Sequence, residues 1–352
     1  MKVFKFGGTS MATAAAVRRV ESIVRGDERA KIIVVSAPGK RYAGDKKVTD
    51  LLLAAHDARS ASTRAALLDS VENRFAEILC GLSLSLDFTR EWQALRTAAN
   101  GERAYAASRG EFFSAQIVAA RLGATFIDAA ELVRFDAQGN FNEEETNRRI
   151  RARLTNLSGL VVVPGFYGAT AKGKIVTFAR GGSDITGAVL AGACGAELYE
   201  NLTDVDGFLA ADPSVVPHPR VIECLTYEEA RALGKMGAGV LHPSSIAPLK
   251  KAGVPARVRN TFNPQAKGTL IVPAEQAKAR PEVVGIAGKC ISQRRALVAV
   301  VGKGARAQSV CAVLERAHVR PYRVEQTGGA LTACIPARDY AAAVGALYTA
   351  LV

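Results

Sequence analysis

The sequence contains no apolar run approaching the roughly 20 residues needed to cross a bilayer, so no membrane-spanning helix is expected. No export signal is expected either. The opening MKVFKFGG has no apolar core followed by a small-residue cleavage site and reads as a strand, so a cytoplasmic location is expected. Six cysteines, at 80, 194, 224, 290, 311 and 334, form no CxxC pair, and the four histidines do not cluster. No zinc site or other metal set made by the protein is therefore expected, and the thiols read as reduced core residues. There is no repeat of 20 to 50 residues and no low-complexity tract. Basic residues outnumber acidic ones, 46 to 33, for a net charge of +13, yet there is no basic tail and no RNA-binding or zinc-finger pattern. Nucleic acid is not the expected partner. A basic surface also suits small anionic substrates, whose local concentration it raises.

With 352 residues, 49% of them hydrophobic and 22% charged, the chain has the composition of a soluble two-domain protein. Short apolar runs, VFKF (3–6), IIVVS (32–36), TFID (125–128) and LVVVPGF (160–166), alternate with helical patterns. Runs apolar on both faces with helices between them predict an α/β fold, a mostly parallel sheet sandwiched by helices. From Val48 to Leu122 the pattern is helical throughout. After GTLIVP (268–273) the charged stretch 274–281 reads as a linker, giving expected domains of 1–273 and 282–352. The second is predicted as strand, strand, helix, strand, strand, helix, a small α+β unit of ferredoxin-like type.

Two glycine turns could carry chemistry. KFGGTS (5–10) ends the first strand with a lysine, two glycines and two hydroxyls. Glycine amides can approach a phosphate closely and an ammonium can neutralise it, but the spacing fits neither a P-loop nor GxGxxG, and the same residues equally serve a plain chain reversal. RGGSD (180–184) opens an apolar helix and is either a second anion site or a turn in which Ser183 or Asp184 is an N-cap. Two such turns in one sheet favour phosphate chemistry. His242 and Trp92 read as structural residues, and Arg257 and Arg259 alternate along a strand.

KFGGTS, SRGE (108–111), GFYG (165–168), RGGSD, LTDVDGFLAADP (202–213), GAGVLHP (237–243) and NTFNP with GTLI (260–271) occur in the order seen in aspartate kinases of the amino-acid kinase superfamily, and the chain resembles that family over residues 2–272. SAPGKRYAGDKKVTDLL (36–52), with its insert after SAPG, looks like one bacterial branch. The tail is similar to the ACT regulatory domain, shortened to one unit. The resemblance implies ATP-dependent phosphorylation of the L-aspartate side chain, with Mg²⁺, as the first step toward lysine, threonine and methionine.

By the same resemblance, Lys5 reaches the transferred phosphoryl group, the amides of Gly7 and Gly8 hold its oxygens, and Asp184 holds Lys5. Arg180 would bind the α-carboxylate of aspartate and Glu111, placed at a helix start, its ammonium. Ser36, Thr49, Phe166 and Ser183 would line this pocket. Thr9, Ser10, Thr203, Asp204, Phe208 and Asp212 match nucleotide-binding positions. Two basic residues common in the family are replaced by Gly239 and Ser214, and Lys235 is the expected substitute. A lysine or threonine effector and a homodimer formed through the ACT domains are further implications. Three other readings stay open on the sequence alone: a non-catalytic regulatory subunit that kept the aspartate pocket, another small-molecule kinase of the superfamily, and a basic nucleic-acid binder.

Overall fold

The structure, a computed structural model, describes residues 1–97, 102–154, 158–238, 240–278 and 280–352, which gather into two compact units, Met1–Asp204 and Val205–Val352. In the first unit β1 (Lys2–Phe6), β2 (Ala30–Val35), β3 (Thr125–Phe126) and β4 (Val161–Pro164) belong to one sheet. A short antiparallel hairpin, β5 (Tyr167–Ala169) and β6 (Ile175–Thr177), precedes β7 (Leu198–Thr203). The sheet strands run in the order β3-β4-β2-β1-β7, every adjacent pair parallel.

Burial explains why these segments became strands. All five residues of β1 are buried, Lys2 and Lys5 included, and only Lys31 of β2 reaches solvent. A strand covered on both faces needs helices above and below it. The helices of the unit are α1 (Ala14–Arg25), α2 (Val48–Asp57), α3 (Ala61–Leu82), α4 (Thr89–Thr97), α5 (Arg103–Leu122), α6 (Ala129–Leu132), α7 (Glu143–Leu154) and α8 (Gly182–Ala193), of which α5 and α8 pack directly on the sheet. In α1, Ala16, Val17, Val20 and Val24 make one buried stripe, and the Thr13 hydroxyl caps the helix by accepting the Ala16 N–H. Phe113 of α5 packs against Phe75, Phe88 and Trp92, with ring centroids 5.2, 4.9 and 4.5 Å away. Trp92 is thus a core residue, 8% exposed. Gly7, Ser36, Gly165 and Asp204 each follow directly on a strand, at the carboxyl edge where open parallel sheets bind ligands.

In the second unit β8 (Cys224–Thr226) leads into α9 (Tyr227–Lys235), started by a reciprocal capping box of Thr226 and Glu229. α10 (Pro243–Ala252) takes His242 as N-cap, and β9 (Ala256–Asn260) pairs antiparallel with β10 (Thr269–Val272), which runs parallel to β8. The C-terminal portion is β11 (Gly285–Cys290), β12 (Arg295–Val301), α11 (Ala307–Arg316), β13 (Arg323–Thr327), β14 (Ala330–Pro336) and α12 (Tyr340–Leu351). Its strands lie in the order β11-β12-β14-β13, all antiparallel, with Val310, Leu314, Val344 and Leu347 of the helices in one core with Val298, Val300, Leu331 and Ile335. This is the ACT-like α+β arrangement.

One expectation is corrected. None of the six cysteines is a core residue: Cys80, Cys290 and Cys311 are exposed, Cys194, Cys224 and Cys334 are half-buried, and all are free thiols. The apolar stripes beside them are filled by branched residues, as in α11, where Val310, Val313 and Leu314 face inward and Cys311 does not. Among the described residues no helix is long and apolar enough to cross a membrane.

Candidate active site

The parallel register of β1 and β7 sets Lys5 directly beside Asn201. Asp184, in the first turn of α8, reaches both: its Oδ1 lies 2.6 Å from Lys5 Nζ and accepts a hydrogen bond from Asn201 Nδ2 at 3.1 Å. Lys5 is only 7% exposed, and a buried ammonium is tolerable when a carboxylate answers it. The first helical turn is also where the backbone dipole favours a negative charge. The KFGGTS and RGGSD turns therefore meet. Asn201 was not singled out from the sequence; it lies within β7, LYENLT, next to a second buried polar residue, Glu200.

Gly7 and Gly8 differ in what they can do. The Gly7 N–H donates to the Leu202 carbonyl at 3.0 Å, continuing the ladder between β1 and β7, so it is not free to hold a phosphate oxygen as expected. Gly8 opens a 3₁₀ turn, Gly8–Met11, whose first amides have no acceptor within the turn. The amides left for an anion at this turn are thus those of Gly8 and Thr9. A Cβ on Gly8 would sit 3.0 Å from the Ala37 carbonyl oxygen. Ser10 is completely buried beneath the turn, and its N–H donates to the Gly7 carbonyl at 3.1 Å.

The second turn crosses another chain segment with almost no space between them. Gly181, at φ 63°, precedes α8 as its N-cap. Neither Ser183 nor Asp184 caps the helix, which removes that alternative for both. A Cβ on Gly182 would lie 2.7 Å from the Phe166 ring, and one on Gly165 would lie 2.6 Å from Ser183 Oγ. Phe166 has φ 79°, a left-handed conformation costly for a bulky residue. It is held there by its N–H donating to Thr186 Oγ1 at 3.1 Å and its carbonyl accepting from the Phe178 N–H at 2.9 Å. Arg180 stands exposed at the start of the turn.

Glu111 lies in the interior of α5, its ninth residue, and not at a helix start as expected. The helix begins at Arg103 because the alanine-rich segment before SRGE continues the helical pattern upstream. The side chain is 5% exposed; it accepts the Ala37 N–H, and its Oε2 has no hydrogen-bond partner among the described residues. Burial pushes its pKa up to about 8, against the pull of the backbone amides of Ala37 and Glu111 and of the nearby Arg109 charge. Gly110 makes the approach possible, since a Cβ there would come within 2.6 Å of the Ala37 methyl. Ser36, at the start of the loop that contains Ala37, and Thr49, in the first turn of α2 after that loop, are both half-buried.

Thr203 donates its hydroxyl to Asp204 Oδ1 at 3.2 Å. In the second unit, Phe208 is fully buried and its N–H donates to Thr269 Oγ1 at 2.8 Å, so its ring is part of the core. Asp212 accepts from the N–H of Ser214 at 2.9 Å, from its hydroxyl at 2.7 Å and from the Tyr340 hydroxyl at 3.3 Å. Lys235 is exposed at the end of α9, with its carbonyl accepting from Lys289 Nζ at 2.7 Å. Gly239 lies outside the described residues. Among the described residues no three histidine, cysteine or carboxylate side chains come together to hold a metal ion.

Residues 1–260 match the amino acid kinase family. The chain is 38% identical to aspartokinase 3 of Bacillus subtilis over 303 residues, covering 82% of this chain and 66% of that one. It spans less than two thirds of the length of such curated relatives. Its fold superimposes on the aspartate kinase of Clostridium acetobutylicum with a TM-score of 0.90, at 30% identity and full coverage of both chains. The corresponding figures for E. coli aspartokinase III, crystallised with aspartate and ADP, are 0.72 and 26%, over 96% of this chain and 78% of that one. With a parallel sheet whose carboxyl edge carries a lysine turn locked to a second glycine turn, and with this match over most of its length, the chain belongs to the amino acid kinase family.

Proposed function

We propose that this protein transfers the γ-phosphoryl group of ATP to the side-chain carboxylate of L-aspartate, giving 4-phospho-L-aspartate and ADP. The observation that carries the acceptor assignment is Glu111: a buried carboxylate whose Oε2 has no protein partner, in the same compact unit as the Lys5–Asp184 pair. Such an oxygen is complementary to a substrate ammonium. Arg180 takes the α-carboxylate, for which a guanidinium offers two parallel hydrogen bonds. Ser36, Thr49, Phe166 and Ser183 line the acceptor pocket.

The chemistry asks little of the protein beyond placement and charge. A carboxylate oxygen of aspartate, already ionised at neutral pH, attacks the γ-phosphorus as the bond to the β-phosphate oxygen breaks, so no strong base is required. Lys5 neutralises the charge on the transferring group, held in line by Asp184 and Asn201. The Gly8 and Thr9 amides serve its oxygens, with Ser10 supporting the turn. Mg²⁺, when bound, would offset phosphate charge; with no carboxylate cluster for it among the described residues, its coordination would fall mainly to the nucleotide and water. Thr203, Asp204, Phe208, Asp212 and Lys235 keep their proposed role toward the nucleotide, Phe208 by packing alone.

The E. coli enzyme's complex with lysine and aspartate supports lysine as an effector, and the ACT-like portion supports a homodimer. One observation favours a weakened, regulatory paralogue: where many family members carry an arginine, Ser214 brings no cation and donates its N–H and hydroxyl to Asp212. An ADP-release assay with aspartate, glutamate and acetylglutamate, repeated with lysine or threonine, tests all of this. ADP release specific to aspartate supports the kinase reading, and its absence defeats it.

A further inference from the structure

The loop of residues 36–47 touches both halves of the proposed reaction. At Ala37 its N–H is bound by Glu111, the acceptor-side carboxylate. Two residues on, about 7 Å along an extended chain, the Gly39 N–H donates to the Gly8 carbonyl at 2.7 Å. This contact is backbone against backbone: a Cβ on Gly39 would lie 2.7 Å from the Gly8 carbonyl carbon and 2.9 Å from the Thr9 nitrogen.

What fixes the loop from behind is Arg74, in the middle of α3 and 3% exposed. One arm of its guanidinium donates to the Gly39 carbonyl at 2.5 Å. The other reaches Asp45 Oδ2 at 2.9 Å, near the far end of the same loop. Asp45 also accepts from the Nε and the backbone N–H of Arg41, both at 2.9 Å, and these bonds to Arg41 and Arg74 keep its carboxyl ionised far below the usual range. Arg74 Nε is buried with no partner among the described residues. A buried ion pair with an unanswered donor gives little net stability and is better explained by the geometry it enforces.

We infer that Arg74 is a positioning residue for phosphoryl transfer: by holding Gly39 and Asp45 together it presses residues 37–39 between Glu111 and the Gly8–Thr9 peptide, fixing the distance between the acceptor pocket and the phosphate turn. This rests on the function proposed above. Arg74 does not touch either substrate. Its effect is on alignment, so its loss acts on turnover more than on binding, and errors of about 1 Å in such alignment cost up to a hundredfold in rate.

The test compares full-length wild type with Arg74→Met, Arg74→Lys and Gly39→Ala in the ADP-release assay, varying ATP and aspartate separately and normalising to the folded fraction by circular dichroism. Arg74→Met is expected to lower kcat at least tenfold while KM for aspartate moves less than threefold. Arg74→Lys keeps the charge and one contact and should recover part of the loss. Gly39→Ala leaves Arg74 intact but wedges the same peptide, and should give the same split between kcat and KM. The inference fails if folded Arg74→Met or Gly39→Ala turns over within twofold of wild type, or if KM for aspartate rises as steeply as kcat falls. Should Arg74→Met not fold, Gly39→Ala decides alone. A wild type that releases no ADP with aspartate overturns the proposed function; an active wild type with unaffected variants overturns only the role of Arg74.

Discussion

Replacing Glu111 by glutamine separates stability from recognition. The carboxyl is buried and its pKa stands at about 8 against an ordinary 4.5. A carboxyl raised in the folded state favours folding fully below its unfolded pKa and loses that contribution as pH climbs toward the folded value. At pH 7 the loss corresponds to about 2.5 pKa units, roughly 3 kcal/mol. Glutamine has no charge to desolvate and can still accept the Ala37 N–H, so Glu111→Gln should be more stable at pH 7 by up to about that amount. The gain should shrink steadily as pH falls to 5. Aspartate binding should move the other way, because a charge-assisted hydrogen bond to the substrate ammonium is lost, worth about 1.5–3 kcal/mol or roughly 10- to 150-fold in affinity. Calorimetric titration adds a second reading. With a pKa near 8, Glu111 is mostly protonated at pH 7 and must ionise to meet the ammonium, so wild type should release close to one proton per aspartate bound, and the variant none. Thermal melts from pH 5 to 9 and titrations in buffers of different ionisation enthalpy measure both. A variant that binds aspartate as tightly as wild type, or that melts lower at pH 7, refutes the reasoning.

Asn201→Leu removes the amide that steadies Asp184 and should cut kcat about tenfold, the scale of one hydrogen bond to a charged group, with little change in melting temperature; unchanged turnover would reduce Asn201 to packing. Gly181→Ala forces a side chain into a φ of 63°, so it should lower stability by about 1–2 kcal/mol and raise KM for aspartate by displacing Arg180, as melts and kinetics would reveal. Lys235→Ala should raise KM for ATP several-fold and leave that for aspartate alone; identical ATP kinetics would end its role as the substitute for the missing cations.

Much of the architecture is legible in the sequence because the strands are buried on both faces, which writes them as unbroken apolar runs such as IIVV and VVVP. TFID shows the limit: only Thr125 and Phe126 pair with β4, since Asp128 turns the chain by capping α6. The Lys5–Asp184 contact follows from reading the two glycine turns as one cradle. The placement of Glu111 does not, because an alanine-rich stretch gives no mark of where a long helix begins. The occupied N–H of Gly7 was equally hidden, depending on which strand neighbours β1. Asn201 and Arg74 share a reason for being overlooked: each acts by contacts to residues distant in sequence, and neither lies in a glycine turn.

The insert after SAPG is pinned at Gly39 and again at Asp45, while Lys40 through Gly44 project into solvent. A segment fastened at both feet can vary between them wherever it holds neither foot, which leaves out Arg41, bonded to Asp45 and to Glu77. Natural variation and engineered tags, crosslinkers or reporter groups should therefore be accepted at Tyr42 and Ala43, whereas a single methyl added at Gly39 would be rejected.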